Sequence, residues 1–176
     1  MTAIAPLFSD PYRQAFAAFM AERRESEAIA RLRRAAFARF ETLGWPTRHQ
    51  EGWRFTDLAP LQAWTLQKAS DALIDAAALP ELGVAAHRLV FMNGRLAPGL
   101  SSERLLPDRA FITGFSQALP RDLDLIAPVL DALPGLQFHP FAALNTAFWE
   151  DGAFIYLPQG TVIEEPIHLV FYATGG

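Results

Sequence analysis

The first 43 residues carry a pattern of apolar and polar positions that predicts two helices over residues 10–43. Asp10-Pro11 is a helix-start signal, because Asp accepts hydrogen bonds from free amides and Pro fits the first helical position. Ser26 offers a second cap, and Gly44 ends the second helix. The apolar stripes are Tyr12, Phe16, Phe19 and Met20 on the first helix and Ile29, Leu32, Ala36, Phe37, Phe40 and Leu43 on the second.

Residues 45–64 show no strong period and predict an irregular segment that leads into a short helix. We expect the Trp53 ring to be buried against the helical stripes, with Thr56 capping the following turn. Trp53→Ala would then cost about 3–5 kcal/mol, as a large core truncation does. Two alternatives stay open for this segment: a loop that docks a partner, or a platform on which bases stack.

The pattern changes to short strands after residue 87. Asn93-Gly94 lies between two apolar runs and predicts a hairpin, because both turn positions need a positive φ. The other predicted elements are a helix over Ser70–Leu79, strands over Arg88–Met92, Arg95–Ala97 and Ala110–Phe115, a helix over Asp122–Leu133 broken at Pro128, and a helix from Pro140 to near Asp151-Gly152.

The last segment predicts three strands joined by tight turns: Ala153–Leu157, Thr161–Ile163 and Ile167–Ala173. The turns leave no room for a crossover helix, so they favour a meander, a sandwich or the first coil of a β-solenoid. The chain ends directly after an apolar strand, whose unpaired backbone is an aggregation hazard. We therefore expect more sheet to follow in a longer protein, and homodimer formation through the open sheet edge is a further possibility.

Composition narrows the class of protein. The 176 residues are 51% hydrophobic and 19% charged, which excludes a disordered chain. The net charge of −4 argues against a nucleic-acid binder, and the arginines between Arg23 and Arg39 alternate with glutamates as on a solvated helix face. Neither a signal peptide nor an apolar run of membrane-spanning length is visible, so we expect a cytoplasmic protein without membrane contact.

Candidate chemistry is sparse. The sequence has no cysteine, so these residues supply no thiol nucleophile, zinc ribbon or cysteine-ligated iron–sulfur cluster. Its histidines are His49, His87, His139 and His168, and none has the spacing of a local metal pair. Local hydrogen bonds are the simpler interpretation. The alternative is a small metal-dependent or ligand-binding enzyme of a β-barrel type that uses His139, His168 and Glu150.

Adjacent carboxylates give no catalytic pair either. Glu164 and Glu165 would point to opposite faces of a strand, so a solvated turn is the better interpretation. The residues alone therefore predict an α+β protein and no catalytic, cofactor-binding or metal site.

Three runs nevertheless resemble the SufB/SufD family, and most closely its SufD branch. They are PTRHQEGWRFTDL at residues 46–58, RLVFMNGRLAPGLS at residues 88–101, and a third run with LNTA at 144–147, DGAFI at 151–155 and IHL at 167–169. The three runs occur in the family's order and together cover most of the chain.

The resemblance implies an architecture. It predicts an N-terminal helical region over residues 1–85, a β-hairpin with a mixed α/β segment over residues 86–140, and the incomplete start of a right-handed parallel β-helix over residues 141–176. The C-terminal half of such proteins, with its contact to the SufC ATPase, is absent from these residues.

The resemblance also implies a role. SufD-like proteins are non-catalytic scaffold subunits that pair with a SufB-like subunit and a SufC-like ATPase. Their complex assembles and transfers iron–sulfur clusters and has been linked to reduced flavin. The resemblance places the proposed cluster-related residues of the family in the absent C-terminal half, so it assigns no functional site to a residue of this chain, and we expect no cofactor to be bound by these residues themselves.

Overall fold

A computed structural model describes residues 10–63, 86–102, 106–107, 109–131 and 139–174. Its helices are α1 (Asp10–Ala21), α2 (Glu27–Leu43), α3 (Ala59–Ala63), α4 (Phe115–Asp131) and α5 (Pro140–Phe148). Its strands are β1 (His87–Met92), β2 (Arg95–Leu96), β3 (Phe111–Gly114), β4 (Ala153–Tyr156) and β5 (Ile167–Tyr172). The α+β class is confirmed. Within the described ranges no helix is long and apolar enough to cross a membrane.

The chain divides into two compact units that do not follow its order in sequence. The first combines residues 1–68 with residues 127–149, and the second combines residues 69–126 with residues 150–176. Helix α5 therefore belongs with the N-terminal helices although about a hundred residues separate them in sequence.

Helices α1, α2 and α5 form the core of the first unit. The predicted caps are present: Ser26 Oγ accepts from the amide of Ile29, and Gly44, at φ +71°, ends α2. Both apolar stripes face inward, and the Phe16 and Phe37 rings stack with centroids 4.2 Å apart. Helix α5 completes this core with residues small enough for close helix approach. The buried members of the cluster are Tyr12, Ala36, Phe37, Phe40, Ala143 and Ala147.

A buried arginine fastens the end of α5 to α2. The Arg33 side chain is only 1% exposed, and its Nε donates to both carboxylate oxygens of Glu25 at 2.9 and 3.0 Å. Its Nη1 donates to the carbonyls of Ala147 (3.2 Å) and Trp149 (2.7 Å), and the guanidinium lies 4.1 Å from a ring centroid of Trp149. Arg33 thus supplies hydrogen-bond donors to the carbonyls at the end of α5, which have no partner within the helix. Leaving these buried groups unpaired would cost stability.

We expect Arg33→Met to destabilise the first unit by about 3–5 kcal/mol, because it leaves the Glu25 carboxylate and two carbonyls without their donor. Arg34→Met on the same helix is the matched control. Arg34 pairs with Glu27, but their side chains are 51% and 78% exposed, so we expect a loss below about 1 kcal/mol. Urea denaturation followed by circular dichroism measures both; equal losses for the two variants would contradict the role of Arg33.

The second unit contains two small sheets. The first has the strand order β2-β1-β5, with β1 and β2 antiparallel and β1 and β5 parallel; the second pairs β3 with β4 in antiparallel fashion. The predicted hairpin is confirmed, since Asn93 and Gly94 have φ values of +48° and +82°. Leu89, Phe91 and Ile112 form the buried core, and Ile163 and Ile167 pack against it.

One carboxylate joins three segments of the second unit. Asp151 accepts from the amides of Leu96 (3.0 Å), Ser116 (3.0 Å) and Gly152 (2.9 Å), and from the hydroxyl of Ser116 (2.7 Å). A Cβ at Gly114 would lie 2.9 Å from Leu96 Cδ2 and 3.0 Å from Asp151 Oδ1. A larger residue there would therefore require the Leu96 side chain or the Asp151 carboxylate to shift.

Several sequence predictions were wrong in detail. Residues 161–163 are not a strand, although Ile163 packs on the core. Phe115 begins α4 and does not end β3. The break in α4 falls at Asp122 (φ −122°, ψ 27°) and not at Pro128. Asp122 follows Pro120 by two residues, and an Asp side chain competes with helical backbone hydrogen bonds, which favours a break there.

The pairing of the last strands also differs from a simple meander. β4 and β5 lie in different sheets, and each pairs with a strand from much earlier in the chain. The opening of a right-handed β-helix stays a prediction, as does the division at residues 85 and 140. The helix predicted over Ser70–Leu79 lies outside the described residues.

Candidate functional site

The metal-enzyme alternative would use His139, His168 and Glu150. Two of these side chains have structural partners, and among the described residues the third does not lie in a cluster of metal-binding side chains. His139 is the N-cap of α5, where its Nδ1 accepts from the amide of Ala142 at 3.4 Å. Glu150 pairs with Arg95. His168 Nδ1 is buried without a hydrogen-bond partner. Over the described ranges, no three His, Cys, Asp or Glu side chains cluster as a metal site.

The remaining histidines and the paired glutamates have separate environments. His49 is exposed, whereas the His87 side chain is 3% exposed with its Nε2 3.6 Å from Glu165 Oε2. Glu164 is exposed as predicted, but Glu165 is half-buried against β1. The turn before β5 is thus held against the sheet at one residue and is not fully solvated.

The segment from Glu51 to Thr56 presents one aromatic ring inward and one outward. The Trp53 ring lies 5.3 Å from the Phe141 ring and 6.1 Å from the His139 ring, and is half-buried. The predicted burial against the stripes of α1 and α2 was therefore wrong: Trp53 covers the start of α5. Phe55 is 84% exposed under the Arg54 guanidinium. The side chain that caps the next helix is that of Asp57, whose Oδ1 accepts a hydrogen bond from the Ala59 amide at 3.0 Å. Thr56, one residue earlier, was predicted to provide this cap.

Half-burial lowers the expected cost of removing Trp53. We now expect Trp53→Ala to destabilise the first unit by about 1–3 kcal/mol, less than a fully buried ring would. Phe55→Ala is the matched control, because an 84% exposed ring contributes within about 0.5 kcal/mol. Melting temperatures of the two variants provide the comparison, and an unchanged melting temperature for Trp53→Ala would contradict a packing role.

Two exposed arginines of α1 and α2 belong to a mixed-charge surface. Arg13 pairs with Glu41 and Arg34 pairs with Glu27, whereas Arg33 is buried. This supports the solvated-face interpretation over a nucleic-acid patch, since a phosphate-binding surface needs cations that are not neutralised by neighbours.

A further surface of the second unit lies at the outer edge of β5. In the part of the chain that the structure describes, β5 pairs with β1 only. The His87 amide donates to the carbonyl of Pro166, and the Asn93 amide donates to the carbonyl of Tyr172. In a parallel ladder alternate residues face the neighbouring strand, so the backbone groups of Ile167, Leu169 and Phe171 point away from β1. We call these three residues the β5 edge.

The side chains of the β5 edge are apolar and accessible. They lie on the face of the sheet that carries Leu89 and Phe91, because in-register parallel partners share a face. Phe171 stacks on Phe91 with centroids 5.1 Å apart, yet it remains 67% exposed, and Leu169 is 41% exposed. The apolar core thus continues to a sheet border where both backbone and side chains can accept a further strand.

Asn93 fastens the end of β5 through its side chain. Its Nδ2 donates to Thr174 Oγ1 at 2.8 Å, and its Oδ1 accepts from the Thr174 amide at 2.9 Å. From the sequence alone, Asn93 is expected only in the hairpin turn. An Asn in a turn does not reveal a partner 81 residues away, so only the parallel register of β1 and β5 shows this second role.

We expect Asn93→Ala to cost about 1–3 kcal/mol, because Ala is strained at a positive φ and loses both bonds to Thr174. Asn93→Gly separates the two effects, since it keeps the turn geometry and loses only the bonds. Amide hydrogen exchange should therefore accelerate in β5 for both variants, but in β2 chiefly for Asn93→Ala. Unchanged exchange in β5 would contradict the fastening role.

Comparison with known proteins gives two findings. Residues 7–169 match a family described as the SufBD protein N-terminal region. The chain is also 32% identical, over 155 residues, to an iron–sulfur cluster assembly SufBD family protein of Synechocystis sp.; the match covers 84% of this chain and 33% of that protein. The chain therefore spans about a third of the length of this curated relative.

Proposed function

Because this chain belongs to the SufBD family, whose N-terminal region it matches, we propose that it is a non-catalytic, architectural component of iron–sulfur cluster assembly. The observation that carries the proposal is the match of residues 7–169 to the N-terminal region of that family. The β5 edge, which pairs with no strand in the described residues, is an apolar border to which the next coil of a longer protein or another polypeptide would add a strand.

The proposed partners are a SufB-like subunit and a SufC-like ATPase, in a complex that acts in the cytoplasm. We also propose that β1 and β5 belong to the opening of a right-handed parallel β-helix. Their in-register parallel pairing over six residues is the relation that neighbouring coils of such a helix have, which supports this assignment.

The iron–sulfur cluster is the cargo of this complex. None of the 176 residues is a cysteine, so thiolate ligands come from another polypeptide or from residues beyond this sequence. Reduced flavin, if the complex uses it, is likewise proposed to bind elsewhere than on these residues.

No observation favours the metal-enzyme alternative. His139 caps a helix and Glu150 is held by Arg95, so both side chains already have structural partners. Elemental analysis of the purified chain distinguishes the two functions. Stoichiometric zinc, iron or manganese that is lost in His168→Ala would favour the enzyme over the scaffold.

Coexpression of the tagged chain with SufB-like and SufC-like subunits tests the proposal. We expect the SufB-like subunit to be retained with the chain and the SufC-like subunit to follow it. Leu169→Lys should reduce this capture about tenfold or more, because it places a charge on the β5 edge.

Val162→Lys is the matched control, because Val162 is 73% exposed but lies outside the strands. Failure of the unmodified chain to retain either subunit would contradict the proposal. Phe55→Ala in the same assay tests the docking-loop alternative for the Trp53 segment, which requires normal melting and lost capture.

A further inference from the structure

We propose that Asn93 is a site of spontaneous covalent modification, at which hydrolysis of the side-chain amide is held back by Thr174 and proceeds when the end of β5 leaves β1. The proposal rests on the geometry of the hairpin turn and of its contacts to Thr174, and it does not depend on the proposed function. Water is the co-reactant. The chain contains one other asparagine, Asn145, which serves as an internal reference.

The chemistry follows from the dipeptide Asn93-Gly94, because glycine has no side chain to hinder ring closure onto the asparagine that precedes it. The Gly94 backbone nitrogen bonds to Asn93 Cγ, the bond from Cγ to Nδ2 breaks, and the Gly94 amide proton leaves with the Nδ2 group as ammonia. A five-membered cyclic imide remains. Water then opens one of the two C–N bonds of the imide, which gives either aspartate or isoaspartate.

The native turn keeps the reacting atoms apart. Met92 pairs with Arg95, so Asn93 and Gly94 are the two residues of the loop, with φ values of +48° and +82°. Left-handed backbone has a ψ of about +30 to +60°, which places the Gly94 nitrogen on the side of the Cα–C bond opposite to Asn93 Cβ. Ring closure needs this nitrogen and Cβ on the same side. The Asn93 backbone therefore has to leave its native conformation before the imide can form.

Three hydrogen bonds to the end of β5 hold Asn93 in that conformation. Its amide donates to the carbonyl of Tyr172 at 2.8 Å, its Nδ2 donates to Thr174 Oγ1 at 2.8 Å, and its Oδ1 accepts from the Thr174 amide at 2.9 Å. Both ends of the side-chain amide, the leaving group and the carbonyl, are thus bound to one residue. Because rotation of the turn breaks these bonds, the chain reacts from a locally opened state in which β5 is detached there.

The two products have different effects on the turn. Aspartate keeps the number of main-chain atoms, and its carboxylate can accept from both the amide and the hydroxyl of Thr174. Isoaspartate adds one carbon to the main chain, which a two-residue turn does not accommodate in the register of Met92 and Arg95. A chain that has reacted to isoaspartate therefore does not restore the contact with β5, so the modification makes the detachment permanent.

Peptide mapping of the chain during incubation in mildly alkaline buffer tests the proposal. Trypsin cuts after Arg88 and Arg95 and releases residues 89–95, in which Asn93 is the only side-chain amide. Chromatography with mass spectrometry separates the asparagine, aspartate and isoaspartate forms of this peptide. We expect Asn93 to react more than about tenfold more slowly in the folded chain than in guanidinium, because the folded chain first has to break three hydrogen bonds. Asn145 precedes a β-branched threonine and should react more slowly than Asn93 in guanidinium.

Substitution of Thr174 tests whether the contact is what holds the reaction back. Thr174→Val removes the acceptor of Nδ2, so we expect the reaction of Asn93 in the folded chain to become about two- to tenfold faster. The same variant should react at the unmodified rate in guanidinium, where the contact does not exist. Thr161→Val, in the loop before β5, is the matched control and should leave both rates unchanged.

Circular dichroism melts establish that both threonine variants are folded under the conditions of the incubation. The proposal is overturned if Asn93 reacts as fast in the folded chain as in guanidinium, if it reacts in neither state, or if folded Thr174→Val reacts at the rate of the unmodified chain.

Discussion

The second unit depends on the parallel pairing of β1 with β5. β1 is buried along most of its length because β5 covers one of its edges and the hairpin partner β2 covers part of the other. The cover is uneven, since β5 itself contains no fully buried residue. β1 therefore lies in the interior of the unit, whereas β5 forms its border. The β5 edge is accessible because of this difference in burial.

Local signals predicted the elements that local physics determines. Ser26 and Gly44 bound α2, Pro140 opens α5, and Asn93-Gly94 makes the hairpin, because caps and turns depend on residues next to one another. The segment at residues 161–163 was misassigned for the complementary reason. Ile163 packs on the core from a loop, and an apolar residue in a packed loop gives the same sequence signal as one in a strand.

Long-range partners could not be predicted in this way. Nothing near Arg33 in sequence indicates the carbonyls of Ala147 and Trp149, and nothing near Asp151 indicates the amides of Leu96 and Ser116. The β5 edge was anticipated as an open strand, but its register with β1 was not. The family resemblance indicates the role, whereas the structure shows the surface on which that role can be tested.

The position of α5 has a consequence for how the chain folds during synthesis. The acceptors of Arg33 lie 114 and 116 residues further along the chain, so the ribosome releases α1 and α2 long before α5 exists. Until then α5 does not cover the aromatic stripes of α1 and α2. The core of the first unit therefore forms late, because it needs contacts between residues far apart in sequence. Helices α1 and α2 are thus made well before the helix that covers them, and their shared core is completed only after α5 has left the ribosome.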